Sequence, residues 1–401
     1  MLSRCISSLG KIRRHIFTAG TSRASRSMFV GHEFLAFVLA VSLSSQVGAT
    51  NAQIRSVGFL AATAAFLPDL DIGYAIITYC FAVASGVPVG WDAFWEVANG
   101  VHRTVTHSLP VGISAALIAW GGANFICYIT RSRSDTQACI SNIDDVNITF
   151  IQYILLLYRE RSLLVASAVG GSIIIGFYMT TDMSAGAVAG IFMIITGFLG
   201  IIAFQQTALT TSQIGVATAI GTTTHPFGDI FMAAPPPLFA PITSLIGWQI
   251  EFTRFTFASN PTLNLLGVLL IEIMIIWLGV GAFARVTHRS VRTYIDRRAI
   301  IAAGYALAVF SFPPPTMVDA HRLGFTIVPL ALSIGAWSGW SGLNITTRLS
   351  NRGIHASLKT IDHQYVLTTL TSDRSLRTII TTLSALTVAA VTYTAVVSFT
   401  L

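Results

Sequence analysis

The chain has 401 residues, of which 53% are hydrophobic and only 10% charged, with a formal net charge of +7. Soluble domains carry about a quarter charged residues, so this composition, with a mean hydropathy of +0.70, excludes a soluble globular protein and points to lipid. Six of the positive charges (Arg4, Lys11, Arg13, Arg14, Arg23 and Arg26) sit in residues 1–31, which hold no acid; without them the balance is about +1, so the body is not a nucleic-acid-binding surface.

In chain order, residues 1–27 read either as a basic targeting leader or as an over-long start with Met28 the true first residue. Residues 28–128 form a motif-bearing membrane region, 129–161 a polar loop, and 162–401 a further membrane bundle. Apolar stretches near bilayer length fall at 32–48, 53–67, 109–128, 163–180, 185–203, 211–232, 262–284, 299–312, 324–343 and 379–400. The stretch 72–88 is apolar but broken by glycine and proline, which suits a short span, a re-entrant piece or an interfacial helix. The expectation is an all-α, polytopic transmembrane helical bundle of about nine to eleven spans. Cys5, Cys80, Cys127 and Cys139 show no CxxC pairing and so no zinc-finger or disulfide framework.

Arginine and lysine gather in three connections: Arg131, Arg133, Arg159 and Arg161; Arg285, Arg289, Arg292, Arg297 and Arg298; and Arg348, Arg352, Lys359, Arg374 and Arg377. Counting spans puts all three on one face, which the positive-inside rule makes cytoplasmic. The same count sends His32, Asp69, His107 and the His225–Asp229 pair to the opposite, extracytoplasmic face of a cell membrane.

These residues sit in "GHEF" (31–34), "PDLD" (68–71), "HRTVTHS" (102–108) and "HPFGD" (225–229). Carboxylates at a bilayer boundary are costly unless paired, solvated or bound to a cation. His225 and Asp229, at i and i+4, share a helix face. With His32, Asp69, Asp71, His102 and His107 they supply enough nitrogen and oxygen donors for one or two divalent ions. Mixed donors suit Zn²⁺ foremost, with Mn²⁺ or Fe²⁺ as alternatives, over Ca²⁺ or Mg²⁺. Arg103 could hold phosphate charge, and Thr106 and Ser108 could orient the ligands.

Plainer roles exist for each piece. Pro-Asp is common at turns and Asp can cap a helix. His225 and Asp229 could merely neutralise each other, and Arg103 could anchor its span. The joint case is stronger, because the set uses four of only nine histidines and projects to one side. Asp319, His321 and Arg322 fall on the same expected face. The proline runs there and at 234–241 suit rigid loops over the site. Trp91, Asp92, Trp95 and Glu96 suit an interfacial segment. Glu272, inside a span with no basic partner at helical spacing, has no explanation from sequence.

The four motifs resemble the YdjM-type membrane-bound metal-dependent hydrolases of bacteria and archaea, most clearly over residues 28–128 and 221–241. The resemblance implies an inner-membrane enzyme distantly related to zinc-dependent phospholipases C, with His32, Asp69, Asp71, His102, His107, His225 and Asp229 as ligands. The chain departs from that pattern in a long apolar gap between Asp71 and His102, in the proline after His225, and in a larger bundle.

The expected function is therefore metal-dependent hydrolysis of a phosphoester or lipid-linked substrate through a metal-activated water. Asp71 would be the general base and Arg103 the phosphate clamp, with the bilayer as partner and no nucleic acid. A cation- or proton-coupled transporter using the same cluster is the alternative. A scaffold with a closed structural metal is a third reading.

Overall fold

Each helix that carries a motif starts or stops for a local reason. In a computed structural model of the chain, residues 31–90, 93–94, 105–134, 161–232, 235–248, 250, 253, 255–316, 319–340 and 373–400 are described. The leader at 1–27 and the polar connections at 135–160 and 341–372 lie outside them.

Helix α1 (Gly31–Gln46) turns at Gly48 into α2 (Asn51–Phe66), whose start is fixed by a capping box. The Thr50 hydroxyl accepts the Gln53 N–H at 3.3 Å, and the Gln53 side chain accepts the Thr50 N–H at 3.1 Å. A 3₁₀ turn at Pro68–Leu70 tightens the chain before α3 (Asp71–Ala84). Next come α4 (Leu109–Ser134), α5 (Ser162–Thr180), α6 (Met183–Gln206) and α7 (Thr211–Met232). A short α8 (Ile242–Ile246) leads to α9 (Pro261–Val286), capped by Asn260, whose side chain accepts the N–H groups of Thr262 and Leu263. Two 3₁₀ segments (Val291–Tyr294 and Arg297–Phe310), α10 (Ala320–Trp340) and α11 (Asp373–Thr400) complete the order. Among the described residues there is no strand, so the all-α expectation stands.

Among the described residues, seven helical stretches are long and apolar enough to cross a bilayer: 51–84, 109–130, 162–180, 183–206, 261–286, 320–340 and 373–400. Two site-bearing helices are not among them. With 16 residues, α1 reaches only about 24 Å at 1.5 Å per residue, short of a ~30 Å hydrocarbon core. Helix α7 packs against α1, α2 and α4 and buries Thr218 and Thr222 in that seam, while Val216 and Phe227 face outward. Close approach is bought with small residues: a Cβ at Gly221 would collide with the Ala61 carbonyl of α2, and one at Gly112 would lie 2.9 Å from the Thr222 carbonyl oxygen. The Thr222 hydroxyl bonds the Gly112 carbonyl at 2.8 Å across the same seam.

The expected span at 299–312 is a 3₁₀ helix. Its tighter winding rises about 2.0 Å per residue, so the 14 residues of Arg297–Phe310 cover roughly 28 Å, where an α-helix would cover roughly 21 Å. It packs against α10 and α11, in a core shared with α9 that includes Leu265, Leu266, Ile327, Tyr393 and Val397. The 72–88 stretch forms a regular helix for 14 residues, with only Asp71 and Ala75 buried.

Helix α9 runs in the same direction as α1. Glu272 meets Gly31, Gly279 lies against Phe34, and Val286 joins Phe37, Val41 and Ile54. At the far end Asn51 and His288 bond at 3.1 Å, so the Arg285–Arg292 cluster lies at the opposite end of α1 from His32. Eleven residues of α9 precede Glu272, so this helix continues about 16 Å past the level of His32.

Candidate metal centre

Three helices and one 3₁₀ turn bring four side chains to one point. His32 stands in the first turn of α1, Asp69 in the turn that ends α2, His107 just before α4, and His225 on α7. Pro226 follows His225 within α7 and has no N–H, so the Thr222 carbonyl loses its ordinary helical partner.

Asp69 is the hub. Its Oδ2 lies 3.1 Å from His32 Nε2, and its Oδ1 lies 3.5 Å from His225 Nε2 and 3.6 Å from His107 Nε2. The Nε2 atoms of His107 and His225 are 2.9 Å apart. His107 and His225 are fully buried, and the His225 ring meets both others edge-on, with centroids 4.2 Å from His32 and 4.5 Å from His107. Donor atoms of His32, Asp69 and His225 all lie within 4.8 Å of one another.

The donor set and its spacing fit a small divalent ion. Bonds of ~2.1 Å in a tetrahedron place neighbouring ligand atoms ~3.4 Å apart, and the separations here bracket that value. Nitrogen and oxygen donors together match Zn²⁺, Mn²⁺ or Fe²⁺.

Behind His107 a hydrogen-bond chain sets its tautomer. The Thr106 hydroxyl donates to Asp71 Oδ2 at 2.7 Å and lies 2.9 Å from His107 Nδ1. Its single hydrogen is committed to Asp71, so Nδ1 of His107 must be the donor to Thr106. That leaves the Nε2 lone pair aimed at the cluster, the arrangement that orients metal-binding histidines. Asp71 Oδ2 also lies 3.8 Å from His107 Nδ1, and Asp71 is buried on the side of that ring away from Asp69.

Of the residues singled out from sequence, His32, Asp69, His107 and His225 meet, and Asp71 stands one hydrogen bond behind them through Thr106. His102, Arg103 and the side chain of Asp229 lie outside the described residues, as do Trp91, Asp92, Trp95 and Glu96. Ser108 caps α4, its hydroxyl accepting the Val111 N–H at 3.3 Å. Asp319 and Arg322 pair with each other at 3.3 Å and His321 lies edge-on to Phe325, so none of the three is among the side chains meeting at Asp69. The proline-rich loop does cover this end of the bundle: the Leu238 carbonyl accepts the Leu109 N–H at 2.7 Å, and Leu238 and Ala240 are buried.

Two acids were not assigned from sequence. Glu33 Oε1 lies 3.5 Å from His32 Nε2, although adjacent residues on a helix do not ordinarily face each other. Glu272 accepts the Gly31 N–H at 2.9 Å. The sequence signal for Glu272 was its isolation inside an apolar span, and its partner is 241 residues away.

Fold and cluster together define the class: a multi-pass helical membrane protein with a buried His/Asp group that could hold a metal ion. Residues 28–178 match the model of the YdjM inner membrane protein family, in agreement with the resemblance carried by the GHEF, PDLD and HRTVTHS motifs. His32, Asp69, Asp71 and His107 fall inside the match, while His225 and Glu272 fall outside it. Comparisons with curated proteins and with solved structures give no match.

Proposed function

We propose that this protein is a metal-dependent hydrolase of the membrane, acting on a phosphoester or lipid-linked substrate. The observation that carries the reading is the convergence of His32, Asp69 and His225 donors within 4.8 Å. His107 aims a fourth donor at Asp69 and His225. A divalent ion held there, Zn²⁺ foremost, would supply an activated water and a Lewis-acid contact to a phosphoryl or acyl oxygen. Asp69 would anchor the ion, and His32 and His225 would complete its donors. Asp71 and Thr106 would hold the His107 proton on Nδ1, so Asp71 serves as orienting group rather than as the general base. Glu33, beside His32, is then the carboxylate better placed to take a proton from water. Arg103 remains the candidate phosphate clamp from the sequence, and the extracytoplasmic placement rests on the arginine distribution.

A cation- or proton-coupled transporter has one specific observation in its favour: His32 stands level with the middle of α9, the height at which transport sites are built. Metal analysis and turnover separate the readings. Purified protein in lipid nanodiscs should carry a stoichiometric transition metal, lose it on Asp69→Ala substitution, and hydrolyse a lipid phosphoester in a chelator-sensitive, metal-restorable way. Bound metal with no hydrolysis across phosphoester and acyl-ester panels, but with ion flux in proteoliposomes, would favour transport. Wild type without metal would sink the hydrolase.

A further inference from the structure

We propose that Glu272, halfway along α9, is a positioning residue that sets where His32 stands and thereby tunes the cluster's affinity for a divalent ion. This deepens the metal-site reading and rests on it. An acid in the middle of an apolar 26-residue helix is costly unless a partner holds it. Glu272 is buried, and its Oε1 accepts the Gly31 N–H at 2.9 Å. The N–H groups of a helix's first turn have no carbonyl partner in their own helix and form the positive end of its dipole, so α1 offers what a carboxylate needs.

Gly31 immediately precedes His32, so this bond anchors the start of the helical turn from which the histidine side chain departs. Glycine suits this close approach: a Cβ at position 31 would lie 3.0 Å from Glu272 Cγ, and the acid would have to give way by a few tenths of an ångström. From the other side, a Cβ at Gly228 on α7 would lie 3.2 Å from both Cβ and Nδ1 of His32. His32 is held between α9 and α7, both contributed by parts of the chain beyond the family match. A ligand displaced by about 1 Å no longer meets the geometry that an ion requires.

The test is Zn²⁺ titration of the full-length protein in nanodiscs against a chromophoric chelator. Wild type is compared with Glu272→Ala, Glu272→Gln, His32→Ala and the Glu272→Ala/His32→Ala double variant. Glu272→Ala should weaken Zn²⁺ by roughly 10–100-fold, the usual effect of removing a residue that orients a ligand. Glu272→Gln, which keeps the acceptor oxygen, should recover most of that loss. The double variant should bind no more weakly than His32→Ala alone, because Glu272 acts through His32. If the alanine variant does not survive purification, Glu272→Asp, which withdraws the carboxylate by one methylene, makes the same comparison.

Unchanged affinity in Glu272→Ala overturns the proposal. So does an equal loss in the His32→Ala background, which is what a merely structural role predicts, or a Gln variant as weak as the Ala variant. Wild type that binds no Zn²⁺ removes the metal-site reading and this inference with it, whereas Zn²⁺ binding indifferent to Glu272 removes this inference alone.

Discussion

His107 and His225 present their Nε2 atoms to each other at 2.9 Å from positions 118 apart in sequence, with neither ring exposed. Two such nitrogens share a buried site comfortably only with a proton or a cation between them. Because Asp69 reaches all three histidines, Asp69→Ala should lower metal affinity more than loss of any one imidazole. We expect a drop beyond 100-fold for Asp69→Ala and roughly 10–100-fold for His107→Ala, read by calorimetry and elemental analysis.

The Thr106 bridge makes a sharper prediction. Thr106→Val keeps the volume but removes the hydroxyl that joins His107 Nδ1 to Asp71, and should cost roughly 10–100-fold in metal affinity. Thr106→Ser should retain it. Chelator competition on the two variants decides the point.

Gly228→Ala tests the α7 side of the His32 clamp. The added methyl would stand 3.2 Å from the imidazole, so His32 must shift or the helices part. Overpacking of this kind costs about 1–3 kcal/mol, visible as a lower thermal midpoint in detergent, and metal retention should fall with it.

The far end of the molecule predicts a pH effect independent of metal. Asp296 caps the long 3₁₀ segment: the Arg298 N–H that it accepts holds its carboxyl below the usual value, and Ser338 adds to this while desolvation opposes it. A carboxyl whose folded pKa is depressed contributes stability that is fully present above its unfolded value of about 3.9 and is lost as pH falls through the folded value. Asp296→Ala should therefore cost the roughly 0.5–2 kcal/mol of a lost cap at neutral pH, seen as a lower thermal midpoint. The difference from wild type should narrow as the medium is acidified below pH 4. A gap that is constant from pH 7 to pH 3 would contradict this assignment.

The surface pair Arg289–Asp373 should matter less. The two lie 2.6 Å apart with Tyr294 bonded to both, but the Asp373 side chain is 81% exposed. Arg289→Ala should leave the thermal midpoint nearly unchanged, and any change should shrink further in high salt.

Hydropathy alone made the helices legible, because a span must satisfy its backbone internally and so leaves an unbroken apolar signature. The meeting of His32, Asp69, His107 and His225 was also legible: scarce polar residues in an oily chain have few affordable places to stand. What could not be read was anything that depends on which helices lie side by side. Glu272 seemed unaccounted for because its partner is a backbone N–H far away in the chain. Asp71 looked equivalent to Asp69 in the motif, yet the 3₁₀ turn between α2 and α3 rotates it to the other side of His107. The winding of 297–310 was hidden for a similar reason, since apolar composition does not distinguish a stretched helix from an ordinary one.

The height of α9 has one more consequence. Its eleven residues above Glu272 raise a wall on one side of the cluster, and on the proposed reading a substrate would descend along it. A molecule already dissolved in hydrocarbon by its tail makes that descent without surrendering its whole hydration shell, whereas a freely diffusing polar ester must shed its water on the way down. On the proposed hydrolase reading, that depth would favour reactants that arrive sideways, from within the leaflet.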